Sequence, residues 1–443
     1  MTEQIVIKGY WWLPSTPDHI VAGILTYTPQ ESIILELIGQ LKPETSAIEE
    51  FINREEQNVI LGFSSDAKDI SLMNCYPSGG SLNFSCKFPI HRYKCQHMLV
   101  GTHIMSLDTP CFFKAQINIP YLSLWATPNS IENTTYFKEK LVDSFCISFK
   151  AEKNHIDTVY IDDYKLSIDG FVNYSGDYFE PKIKQKTLVS IINNSDFSLT
   201  AALRQIFLFE QFLSFATLKP LECNKIILYQ ATRFQQLDNG KKHFFPIEYI
   251  CSYKKCNETK QEQNIAKQKE FLFTYETIKD EFHLILKKWF QEQSDIAPIR
   301  HHLIECVRQK GSFSSVDFLV VIQAIEGFWW RFRDKDYKLK NNVYNKTQTK
   351  LNTILDLLIN EFSSISKLKL SEINIKEVVD SRHYFSHFVP KRKKPFAKDG
   401  LELYHLTGQI RKLLICCLLS FTGFSNNQIE NIIKKSDNKF LQD

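Results

Sequence analysis

The chain has 443 residues, 43% of them hydrophobic and 13% aromatic. That is enough apolar material for two or three packed domains, and it excludes a disordered polymer. The formal net charge is only +4, so a nucleic acid would have to be held by a local patch and not by a global field.

Eleven cysteines fall at irregular spacing, and the opening "MTEQIVIKGYWW" lacks a basic start followed by an apolar core. These features predict reduced thiols in a cytoplasmic protein. The longest apolar runs, "DFLVVIQAIEGFWW" and "LLICCLLSFTGF", are shorter than the roughly 20 residues a membrane span needs. No membrane association is expected.

To about residue 190 the chain reads as strands. "QIVIKGYWWL", "VAGILTYT", "SIILELIG", "NVILGFSS" and "CISFKA" are short branched and aromatic runs broken by Gly, Pro, Asn and Asp. "IDTVYIDDYKLSIDGFVNYSG" adds two strands around a polar turn. The spacing predicts a sandwich or a barrel. "LTAALRQIFLFEQFLSFATL", Leu199 to Leu218, changes to helical period with Ser198 as N-cap. "NKIILYQAT" returns to strand, and the polar "SYKKCNETKQEQNIAKQKE" reads as a surface excursion near a domain boundary.

Beyond it the patterns are helical. "YETIKDEFHLILKKWFQEQ" is amphipathic, "APIRHHLIECVRQK" is shorter, and "SSVDFLVVIQAIEGFWWRFRDK" opens with a capping box, Ser314 to Asp317. "KTQTKLNTILDLLINEFSSI" follows. Next comes a helix capped by Asn374, and "GLELYHLTGQIRKLLICCLLSFTG" closes the core with Gly423 as C-cap. The expected class is α+β multidomain: a β-rich sandwich- or barrel-like domain over residues 1–268, then an all-α bundle over 269–443.

One stretch stands out, "DSRHYFSHFVPKRKK", Asp380 to Lys394. At about 100° per residue, Ile375, Val378, Val379, Phe385 and Phe388 share a broad apolar face with Arg382 in its middle. His383 and His387 stack on its flank. A guanidinium among apolar groups needs a partner. Glu326, in the equally apolar "VVIQAIEGFWW", is the candidate.

Pro390 stops the helix, and Lys391, Arg392, Lys393, Lys394 and Lys398 follow. Arginine and histidine are common on helix flanks, and a basic loop is usually solvated surface. The same set can nonetheless cut RNA without a metal. A neutral histidine takes the proton of a ribose 2′-OH, arginine stabilises the phosphorane, and lysines hold the backbone.

Arginine, one polar residue, three more and then histidine, late in an all-α domain, resembles the signature of HEPN ribonucleases. "IEGFWWRFR" and "LTGQIRKLLICCLLSFTGF" resemble helices of the ApeA-like HEPN branch. "KGYWWLPSTPDHIVAGILTYTPQESIILELIG" and "YLSLWA" are similar to the ApeA N-terminal domain.

The resemblance implies an anti-phage protein acting by abortive infection, with a toxic endoribonuclease domain needing no cofactor. It implies a homodimer formed through that domain, RNA as substrate with tRNA among the candidates, and a phage-encoded trigger. By carry-over Arg382 and His387 are the catalytic pair. His383 stands where the family often has Asn, and Glu326 is a supporting group. A non-catalytic HEPN module that binds RNA or only dimerises is the second reading.

Cys75, Cys86, His91, Cys95, His97 and His103 invite zinc, but the spacing is irregular and no Cys-x-x-Cys pair occurs. No metal site is expected there, at Cys251 and Cys256, or at the adjacent His301 and His302. Cys416 and Cys417 read as core. Trp11 and Trp12 could stack a base, although aromatic core is the better reading.

Overall fold

The computed structural model describes residues 4–29, 31–42, 55–81, 89–128, 130–177, 179–252, 265–291, 293–308, 315–341 and 348–441. Two compact units are present. One comprises Met1–Ser123, Pro128–Phe207 and Glu222–Glu262; the other comprises Leu124–Thr127, Leu208–Leu221 and Gln263–Asp443.

The first unit is β-rich. Its opening strands are β1 (Ile5–Trp12), β2 (Val21–Thr28), β3 (Ser32–Ile38), β4 (Gln57–Ser64), β5 (Asp69–Ser81) and β6 (Ile90–Val100). Alternate residues of β2, namely Val21, Gly23, Leu25 and Tyr27, are buried, as a half-buried strand requires. Antiparallel pairing runs β6–β3–β2–β1–β4–β5, and β5 pairs back with β6. The ring therefore closes into a barrel.

Trp11, Leu25, Leu35, Ile60, Leu72, Cys75 and Cys95 fill its interior. A Cβ on Gly62 would overlap the Trp11 indole, so glycine at that position makes room for the largest core side chain. Trp11 is thus core, as the sequence favours. Tyr10 beside it is exposed.

The far half of β6 passes to β14 (Ile247–Cys251). From there the sheet continues through β13 (Lys225–Tyr229), β7 (Phe112–Asn118), β12 (Lys182–Phe197), β11 (Tyr164–Ser175) and β10 (His155–Ile161). β8 (Ile131–Lys138) and β9 (Leu141–Phe149) form a separate ribbon. Ile131 opposite Phe149, Asn133 opposite Ile147 and Thr135 opposite Phe145 define one ribbon face. Phe145, Ile147 and Phe149 on that face are all exposed.

The second unit is helical. The helix Leu199–Thr217 starts as expected, with the Ser198 hydroxyl accepting from Ala201 N–H at 3.2 Å. Its residues from Leu208 onward belong to the helical unit. There Phe215 stacks on Trp289 at 5.5 Å between ring centroids, Phe212 meets the same indole edge-on at 5.7 Å, and Trp289 Nε1 donates to the Leu208 carbonyl at 3.0 Å.

The expected amphipathic helix near residue 280 is two pieces, Tyr275–Ile278 and Phe282–Gln291. The first is a short turn fixed by a Thr274–Thr277 capping box. Gln293–Arg308, Ser315–Phe332, Asp334–Lys340 and Leu351–Glu361 follow, and Ser314 of the predicted capping box lies outside the described residues. Gly400–Thr422 is the closing helix, with Cys416 and Cys417 fully buried and Gly423 left-handed at φ 108°. Asn426–Lys435 ends the set.

Candidate functional site

The motif lies on the helix Ile375–His387. Asn374 caps it, its side chain accepting from the N–H groups of Lys376 at 3.1 Å and Glu377 at 3.4 Å. At the other end Phe388 adopts a left-handed conformation, φ 52°, and Pro390 prevents any continuation. Phe388 was expected on the apolar face with Val378. Val378 is buried, whereas Phe388 is 87% exposed, because the left-handed turn leaves the helical period before the ring is placed.

Arg382 extends toward the Ser315–Phe332 helix. Its Nη2 lies 3.4 Å from Glu326 Oε2, with Glu326 buried and Arg382 half-buried. Burial pushes the Glu326 carboxyl above the ordinary carboxylate range, and the neighbouring Arg382 charge and hydrogen bond oppose that rise without cancelling it. Arg382 Nη1 lies 2.9 Å from His387 Nε2.

On an ideal helix residues five apart diverge by about 140°. The long guanidinium arm closes that gap next to the helix end. Arginine can only donate, so His387 Nε2 is the acceptor and carries the lone pair. His383 sits beside it, the two rings 5.8 Å apart. Burial first, then the charges of Lys394 and Arg382, lower the His383 pKa below the ordinary histidine value. Among the described residues its buried Nδ1 has no hydrogen-bond partner.

The five cations after the helix divide. Lys391, Arg392 and Lys393 form an exposed 3-10 turn. Lys394 folds back to Asp380 at 3.3 Å. Lys398 Nζ lies 3.1 Å from Glu402 and 3.4 Å from Glu377. Its backbone N–H donates to Ser381 Oγ at 2.8 Å. Asp380 and Ser381, both buried, therefore pin the loop to the motif helix. Sequence patterning did not single them out, since nothing local distinguishes them from an ordinary polar flank.

The cysteine–histidine stretch does not converge. Cys75 and Cys95 face each other inside the barrel, His97 Nδ1 contacts the Tyr249 hydroxyl at 2.8 Å, and His103 Nε2 reaches the Gly62 carbonyl at 2.9 Å. Cys86 and Cys256 lie outside the described residues. Among the described residues no group of three or more His, Cys, Asp or Glu side chains could hold a metal ion. None of their helices is long and apolar enough to cross a membrane.

Residues 6–289 match the family model ApeA N-terminal domain 1, and residues 319–428 match Apea-like HEPN. The chain belongs to the ApeA family. Glu326, Arg382, His383 and His387 all fall inside the HEPN match. The N-terminal match runs into the Phe282–Gln291 helix and ends at Trp289 of the helical unit. At family level an ApeA architecture is that of an anti-phage HEPN nuclease, and HEPN domains generally bind RNA and dimerise. No curated protein and no solved structure matches the chain significantly.

Proposed function

We propose that this protein is a metal-independent endoribonuclease of anti-phage defence, with Arg382 and His387 as its catalytic pair. The observation that carries the reading is the 2.9 Å contact between Arg382 Nη1 and His387 Nε2, with Arg382 also held by Glu326 at 3.4 Å. With Arg382 Nη1 moved from His387 Nε2 onto the phosphate, the freed His387 lone pair is the base for a ribose 2′-OH, and the guanidinium supplies positive charge where the phosphorane forms. The oxygen of the 2′-OH attacks the adjacent phosphorus, and the 5′-oxygen leaves with the proton that the His387 imidazolium returns to it. The products are a 2′,3′-cyclic phosphate and a 5′-OH.

His383 positions the pair, and the Lys391–Lys393 turn holds backbone phosphates. Two copies facing through their motif helices would complete a strand-wide groove. The trigger is a phage-made protein read by the β-rich domain. The exposed apolar face of the β8–β9 ribbon supports that assignment, since such patches mark interaction sites.

The test uses the full chain with Arg382→Ala and His387→Ala. Each variant should lose RNA cleavage by at least about 10²-fold, the lower range for a general acid–base group, while melting like the parent. His383→Asn should be milder. Activity should persist in EDTA, and the active species should sediment as a dimer. Wild-type cleavage rates in both alanine variants, or products with a 5′-phosphate, would overturn the assignment.

A further inference from the structure

We propose that Phe388 is a stacking platform for a base of single-stranded RNA beside the catalytic pair, an inference that rests on the ribonuclease reading above. Three observations converge on this residue. Its backbone is left-handed, φ 52°, a conformation that is unfavourable for an L side chain and that helix ends usually give to Gly or Asn. Its ring is 87% exposed, so no burial offsets that cost within the chain. It directly follows His387 and stands three residues before the Lys391–Lys393 turn.

The neighbouring aromatic gives a useful contrast. Phe396 already has Lys376 Nζ over its ring at 3.9 Å. Among the described residues no ring or cation stands against Phe388. Charge decides between the two occupants that an exposed ring beside a HEPN motif could take. Lys391, Arg392 and Lys393 are exposed and make no ion pair to a described residue. Two copies facing through their motif helices would bring two such turns to one groove, where like charges repel unless a polyanion lies between them. A polyanion is attracted to it, and a base has an apolar face for the ring. Stacking next to His387 would fix the nucleotide whose 2′-OH attacks the phosphorus, so Phe388 acts on binding and register and not on the proton.

The experiment uses full-length His387→Ala protein, so that RNA survives, and a single-stranded RNA oligonucleotide carrying 2-aminopurine. Affinity and fluorescence are measured for this parent and with Phe388→Ala, Phe388→Gly or Phe388→Trp added. The glycine variant removes the ring and also the backbone strain, so it keeps the fold. Alanine and glycine should weaken binding by about 5- to 150-fold, the range of one base–aromatic stack. Tryptophan should restore binding and alter the probe's fluorescence. The salt slope should stay unchanged in these variants and become shallower when Lys391, Arg392 and Lys393 are replaced by alanine.

Unchanged affinity in the alanine and glycine variants overturns the proposal, as does a parent that binds no RNA. Unchanged RNA affinity with weakened dimerisation in sedimentation overturns it in favour of a second copy. Stacking in the parent together with an unmutated protein that never cleaves RNA would keep Phe388 and sink the ribonuclease reading instead.

Discussion

At the scale of single residues, two buried charges carry opposite lessons. Glu326 is buried with Arg382 alongside, and its pKa lies above the usual 4.5. Folding therefore favours the protonated form. Its contribution to stability is fully present below that usual value and is lost as pH rises through the raised one. Glu326→Gln keeps an oxygen for Arg382 Nη2 and removes the titration. Denaturation at pH 5 and pH 8 should show a smaller loss of stability in the variant than in the parent, and equal or greater stability at pH 8. A variant markedly weaker than the parent at pH 8 would show that the ionised pair stabilises the fold.

Arg300 is the other case. It is 1% exposed, its guanidinium lies 4.7 Å over the Trp289 ring, and Nη1 donates to the Trp289 carbonyl at 2.5 Å. Among the described residues Nε and Nη2 have no hydrogen-bond partner, and burial pulls its pKa down to about 10. A buried cation satisfied only in part is costly, and a well-packed apolar replacement is often neutral or stabilising. Arg300→Met should therefore leave the melting temperature unchanged or raise it, whereas Arg300→Ala should lower it by opening a cavity. A large drop with methionine would mean that the cation itself is needed. The Arg382–Glu326 pair was legible because each charge interrupts an apolar run. Arg300 was not, because "APIRHHLIECVRQK" is polar enough to hide it.

At the scale of elements, the helix carrying the motif shows how far local rules reach. Its start is set by Asn374, whose oxygen meets the second and third backbone N–H groups. Asn374→Ala should cost about 1 kcal/mol of stability, and Asn374→Asp should cost little, since the added negative charge faces the positive end of the helix. Urea titrations of the three proteins check this; an alanine variant as stable as the parent would show that tertiary packing alone holds the first turn. The helix end was less legible. Pro390 announces a stop, but which residue becomes left-handed, and hence where Phe388 points, depends on backbone geometry that periodicity does not encode. Likewise the run of five cations is uniform in sequence. Only buried Asp380 and Ser381, contributed by the motif helix itself, together with Glu377 and Glu402, separate the two that fold back from the three that stay exposed.

At the scale of the whole molecule, the sequence shows the change from strand period to helix period, but the units do not follow chain order. Barrel closure needed the β5–β6 pairing, a contact between segments whose registers no local pattern sets. The exchange of Leu208–Leu221 into the helical unit was hidden for a similar reason: an apolar helix shows that it is buried, not against what.

This exchange bears on a cut after residue 268, the boundary that the switch in patterning suggests. A fragment of residues 269–443 keeps Glu326, Arg382 and His387 but loses Phe212 and Phe215, which cover Trp289, and the Leu208 carbonyl that accepts its indole N–H. Phe273 and Phe282, which touch Phe212, would be uncovered as well. Exposure of that much aromatic surface favours a loosely packed or aggregated state. The isolated fragment should bind a hydrophobic dye and lack a sharp thermal transition. Co-expression with residues 1–268, which restores the missing layer, should return a cooperative melt to the associated pieces. A fragment that melts cooperatively alone and binds no dye would show that Leu208–Leu221 is dispensable to the helical core, and the HEPN region could then be studied without the β-rich part of the chain.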